Sequence, residues 1–233
     1  MFYQSIRIQI AIITKLINNT KFKIDKGDHL LDTHTHILWN IDDGSKNQCM
    51  SLQMLEIAAR SGTKAIFATP HVIERANKPS WEEIKEKTQQ LRQLCAEAQI
   101  DIMLYPGAEV QMNWELLPEL GATGAYCLNG GRYLLIELPA AEIPAYADEF
   151  WYELELKGIT PILAHPERYQ QLRENPDLLL LWRRRGMLMQ CNSGSFTGMF
   201  GSSVCENAKV LLANGLVDLL GSDGHRSEGR NTD

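Results

Sequence analysis

Short apolar runs recur along this 233-residue chain, and nearly every one ends at or near a histidine or a carboxylate. "HLLDTH" leads into His34 and His36, "KAIFATPH" ends at His71, and "IDIMLYPGAEV" runs past Glu109. "RYLLIEL" carries Glu137, "ITPILAHPERY" carries His165, "MLMQCNSG" ends near Asn192, and "LVDLLGSDGH" closes on Asp223 and His225. Helix-length segments lie between most of these runs. "KNQCMSLQMLEIAAR" sets Met50, Met54, Leu55, Ile57 and Ala58 at helical spacing ahead of Gly62. Ser80 and Glu83 make a capping-box pair before "IKEKTQQLRQLCAEA". Pro144 opens "AYADEFWYELELKG", "NPDLLLLWRRRG" and "SSVCENAKVLLANG" are helical, and "NWELLPEL" is a shorter helix limited by Pro118. About seven strands with helices between them predict parallel βα units, hence an α/β layer or barrel.

In such folds the reacting groups gather at the carboxyl ends of the strands. Five of the six histidines lie at or just past such ends. Any one of them could be a satisfied loop or core residue, and an arginine could pair any one carboxylate. Glu137 is harder to dismiss, because a carboxylate on an otherwise apolar strand must be paired or bound to a cation. Unrelated pairings at equivalent ends of successive strands are a poor account of the whole set, and a metal cluster is a better one. The H-x-H at residues 34–36 turns both imidazoles to one side of an extended segment. Imidazole and carboxylate ligands without thiolate suit Mn, Zn or Fe better than Ca or Mg. The candidates are too many for one ion, which implies two or three divalent ions with bridging carboxylates. Clustered ions activate water and stabilise a leaving oxygen, so phosphoester hydrolysis is expected, with amide or other metal-assisted hydrolysis second.

Composition excludes several other classes. A net charge of −6 argues against a general nucleic-acid binder, and 44% hydrophobic with 22% charged residues is ordinary for a globular protein. The five cysteines are scattered and form no C-x-x-C pair, so buried or semi-buried free thiols in a reducing cytoplasm are expected. "IRIQIAIITKLI" is interrupted by Arg7, Gln9 and Lys15 and falls short of the roughly 20 apolar residues of a membrane span. No small-x-small cleavage site follows it, so neither stable membrane insertion nor a secretory signal is expected. Residues 1–28 are dominated by Ile, Lys, Asn, Phe and Tyr and are expected to be an N-terminal extension of doubtful structure, translated from a misassigned upstream start. A single domain over 29–233 follows.

With these residues in view, the chain resembles the PHP (polymerase and histidinol phosphatase) superfamily. More narrowly, it resembles the bacterial metal-dependent protein-tyrosine phosphatases of capsule and exopolysaccharide operons. "DTHTH", "DDGSK", "TPH", "PGAE", "LIEL", "AHPERY", "CNSGS" and "SDGH" occur in that family's order, from about Leu31 to Arg230. The resemblance implies a distorted seven-stranded (β/α) barrel of PHP type. It implies a three-metal cluster, with Mn as the expected ion, held by His34, His36, Asp43, His71, Glu109, Glu137, His165, Asp223 and His225. Glu109 matches a bridging position, and Asp32 is expected to support the cluster from behind. Asp43 rather than Asp42 matches the ligand, with Gly44 allowing a tight turn. Arg168 and Arg230 match arginines that hold the substrate phosphate, although Arg168 could instead form a salt bridge with Glu167 or another nearby acid. Family members continue past "GR" with prolines and a final helix, whereas "GRNTD" ends this chain, so that helix is expected to be missing, with either apolar barrel surface exposed or Arg230 left mobile.

The implied substrate is the phosphotyrosine tail of a membrane-associated tyrosine autokinase, with self-association of the phosphatase left open. Alternatives are a small-molecule phosphoesterase acting on histidinol phosphate or a similar ester, and a non-catalytic regulator that binds the kinase. A thiol-based phosphatase is excluded, because neither Cys191 nor Cys205 starts a C-x5-R loop.

Overall fold

Residues 30–121 and 124–233 are described by this computed structural model, so the expectations for residues 1–28 and His29 lie outside them. The apolar runs form strands, and the two-residue period of an extended chain sorts their side chains between two faces. The strands are β1 (Leu30–Thr35), β2 (Thr63–Ala68), β3 (His71–Val72), β4 (Met103–Pro106), β5 (Glu109–Gln111), β6 (Tyr133–Glu137), β7 (Thr160–Ala164), β8 (Leu188–Asn192) and β9 (Leu219–Gly221). All neighbouring strands pair in parallel, in the orders β1-β2-β4 and β3-β5-β6-β7-β8-β9. The expected α/β class is what forms.

The strand count differs from the expected seven because two runs are broken. Thr69 and Pro70 interrupt the run from β2 to β3, and proline cannot donate to a ladder. Gly107 and Ala108 separate β4 from β5, with Gly107 N donating to Ala68 O at 2.9 Å. The pair β2–β4 therefore continues as β3–β5, which belongs to the larger sheet. Consequently His71 and Glu109 open short strands rather than ending long ones, and they pair with each other in register. At the other edge β1 meets β9 and the turn after it. Thr35 bridges to Gly224, His36 N donates to Gly224 O at 2.9 Å, and the Thr33 hydroxyl donates to Leu220 O at 2.8 Å.

The helices are α1 (Gln48–Arg60), α2 (Trp81–Glu97), α3 (Ala147–Leu156), α4 (Gln170–Glu174), α5 (Pro176–Arg184), α6 (Ser193–Phe196) and α7 (Ser202–Ala213). Ser80 caps α2 by accepting from Glu83 N at 3.1 Å, as its sequence predicts. "NWELLPEL" winds into a 3-10 turn over Trp114–Glu119, with Pro118 inside it. Leu134, Ile136, Leu163, Met189 and Cys191 pack in the large core with the helices, while Tyr133, Leu135, Ile162, Ala164 and Leu219 pack in a second, smaller core. Continuing that second face along β6, β8 and β9 brings Glu137, Asn192 and Asp223 to one end, while His165, out of phase with Ile162 and Ala164, follows β7 in left-handed backbone.

The cysteine expectation needs one correction. Cys95, Cys127 and Cys191 are buried and Cys205 is half-buried, but Cys49 is exposed. The buried face of α1 is Ser51, Met54, Leu55 and Ala58, and helical spacing turns Cys49 away from it. No helix among the described residues is long and apolar enough to cross a membrane.

Candidate metal centre

The end of β1 carries His34 and His36 to the point where the next loop folds back over them. Ser45 N donates to His36 O at 2.9 Å, and Gly44 lies so close that a Cβ there would sit 2.2 Å from the same oxygen. Only glycine fits that approach. Behind the pair, Asp32 Oδ1 accepts from His34 N at 3.2 Å and Ser222 N at 2.8 Å, tying β1 to the end of β9. Burial raises the Asp32 carboxyl to about 6, although these hydrogen bonds oppose the shift.

Outer partners fix three of the five imidazoles. His36 Nδ1 donates to Asp42 Oδ2 at 2.7 Å, His34 Nδ1 to Gln190 Oε1 at 3.0 Å, and His225 Nδ1 to Asp223 O at 2.9 Å. The opposite nitrogens then carry lone pairs inward, which is how metal-binding histidines are oriented. His34 Nε2 and His36 Nε2 face each other at 3.1 Å. Glu109 Oε2 stands 3.1 and 3.3 Å from these nitrogens, and Asp223 Oδ1 stands 3.5 and 3.3 Å away.

Three groups of side chains converge closely enough to share an ion: His34, His36, Glu109 and Asp223; His36, Asp43, His71 and His225; and His71, Glu109 and Glu137. His165 adjoins them, with Nε2 2.8 Å from Glu109 Oε1. All nine residues singled out as ligands in the sequence thus lie in one cluster. The two aspartates of the "DDG" turn are unequal. Asp42 accepts from His36, from His71 N at 2.9 Å and from Gly44 N at 2.9 Å. Burial opposes its ionisation, but His36 and these donors bring its pKa down to about 2. Asp43 is more exposed and places Oδ1 3.4 Å from His225 Nε2 and 3.7 Å from His71 Nε2.

Several buried polar atoms in the cluster lack a hydrogen-bond partner: His71 Nδ1, Glu109 Oε2, His165 Nδ1 and Asp223 Oδ1. Glu109 Oε2 is near three imidazoles, those of His34, His36 and His71, yet none is aligned to donate. Orphaned oxygens and lone-pair nitrogens facing one another are unfavourable unless a cation lies among them. The donor set therefore fits divalent metal. Burial disfavours the charged forms of His34 and His36, but the surrounding carboxylates overcome it and raise both pKa values. His165 and Asp223 both adopt left-handed backbone, with φ of 35° and 54°. Non-glycine residues held there store strain of order 1 kcal/mol or more, a cost found most often at functional sites.

Asp223 joins this cluster to a pair of arginines. Its Oδ2 accepts from Arg168 Nη1 at 2.9 Å and from Asn192 Nδ2 at 2.7 Å and is ion-paired with Arg230 Nη2, while Oδ1 faces the imidazoles. Arg168 thus pairs with Asp223 and not with Glu167, which is buried and accepts from Asn192 N and the Ser195 hydroxyl. Arg230, for which mobility is one of the two expectations, is held in the same ion pair. Arg226 Nη1 donates to the carbonyls of Asp43, Gly44 and His225, strapping the "DDG" turn to the chain after β9.

A cleft of about 370 Å³ lined by Asn40, Ile41, Asp42, Asp43, His71, Ile73 and Asn77 opens beside the cluster. A larger cavity of about 820 Å³ lies at the opposite, amino-terminal ends of β6, β7 and β8. Chemistry rather than volume distinguishes the smaller one. Sequence reasoning missed Gln190 and Arg226. Gln190 had a signal, since Gln190 and Asn192 are polar alternates in an otherwise apolar strand. Arg226 had none.

The family model described as Capsular polysaccharide synthesis, CpsB/CapC, matches residues 30–233. The tyrosine-protein phosphatase YwqE of Bacillus subtilis (strain 168) is 35% identical over 202 residues, covering 87% of this chain and 80% of that protein. A crystal structure from the pair YwqE of Bacillus subtilis and CpsB of Streptococcus pneumoniae, described as unique metal-dependent tyrosine phosphatases, superimposes with a TM-score of 0.82. It shares 35% identity and covers 87% of this chain and 82% of that one. Histidinol phosphate phosphatase from Lactococcus lactis subsp. lactis Il1403, complexed with Zn, L-histidinol and phosphate, has a TM-score of 0.54 at 17% identity, covering 85% and 87%, and shares the fold.

Proposed function

The chain belongs to the CpsB/CapC family of capsular polysaccharide synthesis, and from that premise we propose that it is a metal-dependent tyrosine-protein phosphatase that uses no cysteine nucleophile. We assign metal ligation to His34, His36, Asp43, His71, Glu109, Glu137, His165, Asp223 and His225, and phosphate binding to Arg168 and Arg230. The observation that carries this reading is the convergence of orphaned buried donor atoms beside two arginines that share Asp223.

When bound, divalent ions supply Lewis-acid neutralisation of phosphoryl charge and lower the pKa of water. The residues supply the rest. Gln190 and Asp42 hold the His34 and His36 tautomers, so the inward nitrogens are ready without reorganisation. Arg168 and Arg230 present planar donor forks that match phosphoryl oxygens, and Asp223 keeps both forks beside the cluster. Cys191 cannot serve as a nucleophile, because burial holds its thiol well above the ordinary range.

In finer detail, we read the nine segments as seven strand positions of a distorted barrel in one domain, with β2–β3 and β4–β5 each one interrupted strand. The ion is Mn by preference, the location is cytoplasmic, and the substrate is the phosphotyrosine tail of a tyrosine kinase that regulates capsule synthesis. Purified protein assayed on a phosphotyrosyl peptide and on histidinol phosphate tests the function. Activity on the peptide should vanish on chelation and return with Mn, Zn or Fe. Peptide activity that survives complete chelation, or turnover of histidinol phosphate alone, overturns it.

A further inference from the structure

Arg168 and Arg230 converge on one aromatic ring as well as on one carboxylate. The Arg168 guanidinium carbon lies 5.0 Å from the Phe200 ring centroid, and that of Arg230 lies 5.6 Å from it. Phe200 is carried by the loop between α6 and α7, where Gly198 and Gly201 take φ of 87° and 94°. The loop is built on its own hydrogen bonds: Gly201 N donates to Gly198 O at 3.0 Å and Met199 N to Gly194 O at 3.0 Å. The Met199 thioether packs on Gly194, so closely that a Cβ there would sit 2.8 Å from the sulfur. The backbone that carries the ring is therefore held independently of the arginines.

Two guanidiniums on one Asp223 oxygen repel each other, and a single carboxylate contact holds each fork in place without fixing its plane. A ring face attracts a guanidinium through its quadrupole and fixes the plane of the fork. We propose that Phe200 is a positioning residue for the phosphate clamp, aligning Arg168 and Arg230 so that both forks meet the phosphoryl group together. The proposal rests on the assignment of these arginines to phosphate. It predicts that Phe200 governs phosphate affinity rather than metal content or folding.

The experiment measures inhibition by inorganic phosphate, KM and kcat for a phosphotyrosyl peptide, metal content and thermal melting on the metal-loaded protein. Phe200→Leu and Phe200→Met keep apolar bulk without a ring, and Phe200→Tyr keeps the ring. The apolar variants should weaken phosphate inhibition and raise KM by about tenfold, with metal content and melting unchanged, and Phe200→Tyr should restore affinity to within about twofold. Wild-type phosphate affinity in either folded apolar variant, or equal impairment in Phe200→Tyr, overturns the proposal. Arg168→Ala and Arg230→Ala are run in parallel. If both leave phosphate inhibition intact, the arginine assignment fails. If they weaken it and the Phe200 variants do not, only the Phe200 proposal fails.

Discussion

The floor and the rim of the cluster are held by different means. On the floor, His34, His36, Glu109 and Asp223 have side chains no more than 1% exposed, and their orientation is fixed by Gln190, Asp42, His165, Asn192 and Arg168. On the rim, the Asp43 side chain is 66% exposed and His71 is 19% exposed. The Asp43 backbone is held by Arg226, with Lys46 Nζ also donating to its carbonyl at 3.4 Å. A floor built from side-chain hydrogen bonds is preorganised before any ion arrives. A rim built on a strapped turn keeps its geometry only while the strap holds.

The largest effect expected from this contrast is on the floor. Glu109→Gln should lower phosphatase activity by about 10³-fold, the scale for losing a central electrostatic element, and should lower bound metal as well. Full metal content with unchanged turnover would show that Glu109 is not shared between ions. Next comes a support of the floor. Asp42→Asn must face an amide N–H toward either the His36 or the backbone donors, and should weaken metal affinity by about 10–100-fold while the fold persists. Titration of the apo-protein with Mn checks this, and an unchanged affinity would remove Asp42 from its supporting role.

A smaller effect is expected at the rim. Arg226→Ala should release the Asp43 turn and cost about tenfold in affinity for one ion, leaving the others bound. Loss of all ions together would erase the distinction between floor and rim. The smallest effect concerns the thiols. Alkylation of the native protein should modify Cys49, which is exposed, and change activity by less than about twofold. Cys127, pushed up to about 12 by burial, and Cys191 should stay unmodified. Stoichiometric inactivation on modification would contradict a metal-dependent, cysteine-independent mechanism.

Part of the cluster was legible in the sequence because it follows from strand periodicity. Glu137 is two residues beyond Leu135 on one face of β6, and Asp223 is two beyond Gly221 at the end of β9, so a pattern of alternation points both to one end. The breaks after Ala68 and Pro106 were not legible as breaks. "ATPH" and "YPGAE" read as continuous runs, and only the pairing of His71 with Glu109 shows that each restarts as a separate segment. Cys49 was misplaced for a related reason, since burial within α1 depends on which helical face meets the sheets.

By itself the sequence determined the alternation of strands and helices and the gathering of imidazoles and carboxylates at strand ends. Those features come from local periods of two and 3.6 residues, which each segment expresses alone. The resemblance already set Asp43 apart from Asp42, but tertiary structure alone decided that Asp42 supports His36, that Gln190 orients His34, and that Arg168 and Arg230 share Asp223. These outcomes depend on segments distant in sequence meeting at hydrogen-bonding range. Arg226 reaches Gly44 across 182 positions, and Gln190 reaches His34 across 156. No local pattern encodes a partner that far away, because hydrogen-bond geometry is set by the approach of the two backbones.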